Sequence, residues 1–152
     1  MRALVQRVQR ASVHVEGEEF SHIEGGLLVF LAIMRDDRQE QLEKMVGKVA
    51  GLRIFPDHQG KMNLSVVDTG GAVLVVSQFT LAADMDKGNR PSFAQAAEPE
   101  SAKKLVDYFC DGLRQRQLTV ATGRFGADMQ VHLINDGPVT LWLDVPSDKG
   151  QR

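Results

Sequence analysis

The sequence predicts an α/β domain in which a mixed sheet of roughly seven or eight strands carries two main helices on one face. Three observations predict it. The runs GGLLVFLAIM and GAVLVVSQFTL are apolar throughout rather than alternating, which is how strands read when both faces are covered. Two other segments gather their apolar residues on one helical face, so each needs a sheet to lie on. The remaining strand-like stretches are short and are separated by turn-forming residues. A chain of 152 residues, 43% hydrophobic and 25% charged, is long enough to bury one core. One domain over residues 1–145 is expected, followed by a polar tail over 146–152 that frays.

The chain opens on strands. In ASVHVEG, Val13 and Val15 face one way and Ser12 and His14 the other. GGLLVFLAIM follows as the third, central strand. DDRQEQLEKMVGKVAGL places Leu42, Met45, Val46 and Val49 at helical spacing, with Asp37 and Glu40 related as in a capping box. This is a one-faced helix of about three turns. LRIF reads as a short strand and PDHQGKMN as a polar turn. GAVLVVSQFTL is the second buried strand, opened by Gly70 and Gly71.

The segment AADMDKGNRPSFAQAAEPE is too rich in glycine, proline and charge to be regular, and its length marks it as a functional loop. A second helix begins near Pro99, a favoured first-turn proline, and carries a stripe of Ala102, Leu105, Val106, Phe109, Cys110 and Leu113. Three further strands are expected around LTVATG, DMQVHLIN and VTLWLDV. Between the last two lies NDGPVT. Asn135, Asp136 and Gly137 have the chemistry of a tight hairpin turn, while Pro138 fixes φ and removes a donor where the next strand should start pairing. Either an edge strand begins there, or the Gly-Pro backbone is itself a tool.

A net charge of −2 and a pI near 6.1 argue against coating nucleic acid non-specifically, which needs many cations on phosphates; no DNA partner is expected. The single cysteine, Cys110, has no intramolecular disulfide partner and reads as a small buried hydrophobe. No signal-peptide pattern and no apolar run of membrane length is present, so a soluble cytoplasmic protein is expected. His14, His22, His58 and His132 show no recognised metal-ligand spacing, and neither a metal nor a cofactor is expected. KGNR at 87–90 is a glycine turn between a lysine and an arginine. In VVSQFTL, Ser77, Gln78 and Thr80 bring polar side chains to the end of an apolar strand. Either the strand surfaces there, or its end and its amides form a catalytic floor.

With these residues in view, the chain resembles the bacterial-type D-aminoacyl-tRNA deacylases. The two signatures of that family stand as SQFTL at 77–81 and NDGPVT at 135–140. The likeness continues through VQRV, LRIF, GKMNLS, DKGNRPSF and TGRFGADMQV, to about residue 145. Both signatures in order, with the intervening blocks in place, are far more specific than either alone.

The resemblance implies a three-layer β/β/α sandwich or barrel-like domain, forming a homodimer with its active site at the interface. It implies hydrolysis of the ester joining a D-amino acid to the terminal ribose of tRNA, releasing both. The catalytic positions it implies are Ser77, Gln78, Phe79 and Thr80, with the amides of Phe79 and Thr80 stabilising the oxyanion. Gly137 and Pro138, joined by a cis peptide, would reach into the partner's pocket and bind substrate, with Phe125 and Met129 walling it. Lys87 and Arg90 would meet phosphates near the tRNA end, and Arg7 would brace the Gly-Pro segment.

If main-chain atoms hold the α-amino group and the ester carbonyl, an L side chain must point into the Gly-Pro backbone while a D side chain finds open space. Such a filter ignores side-chain identity and lets glycine through, including glycine mischarged on tRNA(Ala). Thr80 is a poor nucleophile without a base, so water or the neighbouring ribose hydroxyl is preferred as the assisting group. Two other readings stay open. One is a non-catalytic dimeric module that binds an amino-bearing small ligand or an RNA 3′ end; the other is an esterase acting on some other aminoacyl ester.

Overall fold

The computed structural model describes residues 1–148. Strand β1 (Arg2–Val15) is the axis of the fold. Along one edge its first half pairs with β3 (Gly26–Ala32) and its second half with β2 (Glu18–Ile23), both antiparallel. Along the other edge it pairs with β8 (Gln130–Asp144) from Arg2↔Asp144 to His14↔Gln130. Beyond β3, the sheet continues through β6 (Ala72–Ser77) and β7 (Thr119–Thr122), both parallel to their neighbours. Parallel neighbours need long crossovers. The chain supplies them with α1 (Gln39–Gly51) before β6 and α3 (Pro99–Arg114) before β7.

The mixed sheet curls until it nearly closes into a barrel. The Ser21 hydroxyl on β2 donates to the Thr122 carbonyl on β7 at 2.6 Å, tying the two ends together. A small ribbon, β4 (Phe55–Pro56) with β5 (Met62–Leu64), and one turn of helix, α2 (Val66–Thr69), decorate the first crossover.

Two apolar clusters explain the continuous runs in the sequence. Leu27, Val29, Leu31, Val73 and Val75 face the helices and meet Leu42, Met45, Val46, Phe109 and Leu113. Leu28, Leu74 and Val76, one residue out of phase, face the barrel interior with Val8, Ala11 and Val13. Both faces of β3 and β6 are therefore dry, and the layers run helix, sheet, sheet, as expected. At the β3–β6 contact Gly26 is obligatory, because a Cβ there would sit 1.9 Å from the Ala72 carbonyl oxygen.

Three expectations are corrected. DMQVHLIN and VTLWLDV are not two strands joined by a hairpin but parts of one strand of 15 residues. Gln6 pairs with Thr140 and Val8 with Asn135, so residues 136–139 bulge out opposite Arg7 alone and the chain resumes its direction. Proline is tolerated there because β8 is an edge strand. The cap of α1 is shifted by one: Gln41 Oε1 accepts the Arg38 amide at 2.8 Å. Asp37 is withdrawn from capping because its carboxylate, wholly buried, accepts the Met1 ammonium at 2.7 Å and the Met34 amide at 2.7 Å. Gly70 ends α2 with φ 68° rather than opening β6. Of the expected tail, Pro146 and Asp148 are exposed and Ser147 is buried, while residues 149–152 lie outside the described residues.

Candidate active site

β6 delivers its C-terminal end to a cavity of about 600 Å³ lined by Ser77, Gln78, Phe79, Phe93, Phe125 and Met129, among others. The strand stops there for a local reason. The Gln78 amide makes the last sheet bond, to the Leu31 carbonyl at 2.8 Å, and the chain then tightens into a 3-10 turn over Phe79–Ala82. Leu81 and Ala83 donate back to the carbonyls of Gln78 and Thr80 at 3.1 Å each. The first N–H groups of a helical turn have no partner within it. The amides of Phe79 and Thr80 open this turn and have no partner within it; Phe79 lines the cavity and Thr80 does not. From β1, Arg2 Nη1 donates to the Leu81 carbonyl at 2.9 Å and fixes the turn from below.

The side chains around these amides are ordered by one another. Gln78 Nε2 donates to the Thr80 hydroxyl oxygen at 2.5 Å. Phe79 is 56% exposed and meets Phe93 edge-on, with ring centroids 5.0 Å apart. Phe93, Ala96 and Ala97 bring the long loop to the cavity, opposite the wall made by Phe125 and Met129. That loop is pinned at both sides by bridges, Asp84 to Ser92 and Met34 to Ala96. Lys87 and Arg90 are exposed between the first pair.

The second signature stands elsewhere. The Gly137–Pro138 peptide bond is cis, and both residues are exposed on the β8 bulge; neither lines the cavity that holds Ser77 to Phe79. The bulge is held firmly. Arg7 Nε donates to the Asp136 carbonyl at 2.9 Å and Arg7 Nη1 to the Ile54 carbonyl at 2.6 Å. Asn135 spans its neck, accepting the Val139 amide and donating to the hydroxyl of Thr140, each at 2.8 Å. In the sequence Asn135 reads only as a turn former, and Phe93 was legible only as part of the RPSF block.

Other polar groups serve the scaffold. The rings of His14 and His132 lie 4.4 Å apart across β1 and β8. Among the described residues, no group of three or more His, Cys, Asp or Glu is placed to hold a metal ion. Burial pushes the Cys110 thiol up to about 11, and Cys110 lies in the helix-facing core. Hydrogen bonds from the Lys61 and Gln59 amides hold the Asp57 carboxyl below its ordinary range at the β4–β5 turn. No helix among the described residues is long and apolar enough to cross a membrane.

A cavity at a strand end, edged by the start of a 3-10 turn and walled by apolar side chains, offers the kind of enclosed compartment that an ester hydrolase needs. The family profile described as D-Tyr-tRNA(Tyr) deacylase matches residues 4–144. A D-aminoacyl-tRNA deacylase of Magnetococcus marinus is 64% identical over 151 residues, covering 99% of this chain and 100% of that one. Its counterpart in Escherichia coli is 56% identical over 145 residues, covering 95% and 100%. The solved structure of the c-Myc DNA Unwinding Element Binding Protein superposes with a TM-score of 0.91 at 46% identity, over 97% of this chain and 100% of that one. A probable eukaryotic D-amino acid tRNA deacylase shares the fold, with a TM-score of 0.82 at 20% identity over 95% and 98%. The chain belongs to the D-Tyr-tRNA(Tyr) deacylase family.

Proposed function

We propose that this chain hydrolyses the ester linking a D-amino acid to the terminal ribose of tRNA, and that it does so as a homodimer in which Gly137 and Pro138 of one copy close the cavity of the other. The observation that carries the dimeric part is the separation of the two signatures: one floors a cavity, while the other is braced on an exposed bulge outside it. A backbone segment held by Arg7 and Asn135 and pointed at solvent is preorganised for a target. A second copy supplies that target, and the cytoplasm, where tRNA is found, is the place of the reaction.

Chemically, a water oxygen bonds to the ester carbon, the carbonyl oxygen takes negative charge, and the carbon–ribose oxygen bond then breaks. The ribose oxygen leaves with a proton, giving free D-amino acid and tRNA. The amides of Phe79 and Thr80 receive the developing oxyanion. Thr80 positions rather than attacks. Its hydroxyl oxygen is engaged by the Gln78 amide nitrogen, a pure donor that cannot take a proton from it. The neighbouring ribose hydroxyl assists the leaving oxygen. Phe125 and Met129 wall the aminoacyl compartment, while Lys87 and Arg90 on the loop meet phosphates of the acceptor end.

Main-chain atoms around the α-carbon leave an L side chain no direction except into the Gly-Pro backbone. Glycyl esters, including glycine on tRNA(Ala), pass this filter because they have nothing to exclude. Incubation with D-Tyr-tRNA and L-Tyr-tRNA tests the reading. Release of D-tyrosine with the L-ester spared is the expected outcome. Equal rates on both esters contradict the chiral filter, and binding without turnover supports the non-catalytic alternative instead.

A further inference from the structure

Arg2, the first residue of β1, reaches from the sheet to the turn that follows β6. Its Nη1 donates to the Leu81 carbonyl at 2.9 Å, across 79 positions of sequence. The turn's own bonds run from the Leu81 amide to the Gln78 carbonyl and from the Ala83 amide to the Thr80 carbonyl. The last carbonyls of a helical turn have no partner within it, so the Arg2 guanidinium caps this one at the end opposite its first amides. The starting end is fixed by the Gln78 amide on the Leu31 carbonyl at 2.8 Å. One turn of 3-10 geometry is weakly held by its internal bonds, and these two attachments decide where it points.

The guanidinium is placed for this bond rather than for an ion pair. Arg2 and Asp144 are neighbours in the β1–β8 register, yet Arg2 Nε stays 3.9 Å from Asp144 Oδ2. That nitrogen is buried and has no hydrogen-bond partner among the described residues. A buried donor left without a partner is rare in native proteins and asks for a compensating gain. Two contacts supply it: the bond to Leu81, and the ring of Trp142, whose centroid lies 5.8 Å from Arg2 Cζ.

We propose that Arg2 is a positioning residue for ester hydrolysis: by holding the Leu81 carbonyl it fixes the direction in which the amides of Phe79 and Thr80 point, and Trp142 keeps the guanidinium in place. The inference rests on the reading that these two amides receive the oxyanion. Arg2 does not line the cavity, so its effect passes through the turn. Donors aimed at a developing charge act on the transition state, and a turn that rocks therefore loses kcat while KM stays.

The test compares the unaltered chain with Arg2→Met, which keeps an unbranched apolar stem and removes every donor. Arg2→Met should lower kcat on D-Tyr-tRNA by about tenfold, the order of one charge-assisted hydrogen bond, with KM within about twofold. Hydrogen exchange followed by NMR gives a readout independent of turnover. The Leu81 and Ala83 amides, which close the turn, should exchange about tenfold faster, while the Gln78 amide, bonded to β3, keeps its rate. A loosened scaffold would speed all three alike. Equal acceleration overturns the proposal, as do unchanged exchange at Leu81 and Ala83 or a kcat within about twofold of the unaltered chain. Should Arg2→Met fail to fold, Arg2→Gln takes its place under the same criteria, being polar at a side chain 20% exposed and too short to reach Leu81. Should the unaltered chain hydrolyse no D-Tyr-tRNA, the functional reading fails, and the exchange rates still decide whether Arg2 holds the turn.

Discussion

Replacing Phe79, which lines the cavity, with proline removes the first N–H of the 3-10 turn and is expected to leave the scaffold intact. Phe79 is the first residue of the 3-10 turn, and Gln78 before it has φ −141° and ψ 76°, outside the α region that a following proline disfavours. Proline is accepted at the first position of a helical turn because the amide there has no internal partner. The substitution also deletes the ring that meets Phe93 at 5.0 Å, so Phe79→Ala, which loses the ring and keeps the amide, is the reference. If the Phe79 amide stabilises the oxyanion, its loss should cost about 10²–10³ in kcat beyond the alanine variant, or roughly 3–4 kcal/mol at the transition state. Ground-state binding should be nearly unchanged, because that bond strengthens only as charge develops. Single-turnover hydrolysis of D-Tyr-tRNA, with circular dichroism melting to verify folding, measures both variants. A proline variant within about threefold of the alanine variant refutes the amide's role.

Thr80→Val keeps the shape of residue 80 and deletes the oxygen that Gln78 Nε2 approaches at 2.5 Å. A positioning role predicts a fall in kcat of about tenfold, the worth of one hydrogen bond; complete loss with a trapped acyl-Thr80 in the unaltered chain would assign Thr80 as the nucleophile. Asp37→Asn weakens a wholly buried pair with the Met1 ammonium, which also donates to the Val145 carbonyl at 2.7 Å. Breaking such a pair costs about 3 kcal/mol, seen as a melting temperature lower by about 10 °C; a change under about 2 °C would show that the pair contributes little. Cys110 adds a pH dependence. Its folded thiol is raised from 9.0 to about 11, so the folded state holds the proton more tightly, and the associated stability is complete below pH 9 and lost as pH rises toward 11. Urea midpoints should therefore fall more steeply over that window for the unaltered chain than for Cys110→Ala, by about 2–3 kcal/mol in total; parallel slopes would contradict the assigned burial.

Much of the fold is legible in residue patterns because its causes are local. GGLLVFLAIM and GAVLVVSQFTL read as fully buried strands, and they alternate between two apolar clusters. Pro99 marks the first residue of α3. What escapes the sequence depends on distant partners. Residues 135–140 have turn chemistry, but only the length of β1 opposite them decides that the chain bulges and continues instead of reversing. Asp37 has the spacing of a cap, yet the Met1 ammonium, 36 positions away, claims it.

The candidate site divides in the same way. The polar cluster at Ser77, Gln78 and Thr80 stands out because it interrupts an apolar run. Phe93 does not, because only the fold brings its ring to 5.0 Å from Phe79 at the cavity. By residue pattern alone Arg7 is an ordinary strand arginine; only the family resemblance marks it as a brace, and its hydrogen bonds go to the carbonyls of Asp136 and Ile54.

The central claim is that a complete site takes its cavity from one copy and its Gly-Pro backbone from another. Mixing Phe79→Pro chains with chains altered at Gly137, each inactive alone, tests it most directly. In a mixed dimer one site receives both defects and the other neither, so random pairing should restore about a quarter of the unaltered activity on D-Tyr-tRNA. A mixture as inactive as its two components would mean that each chain builds its site alone.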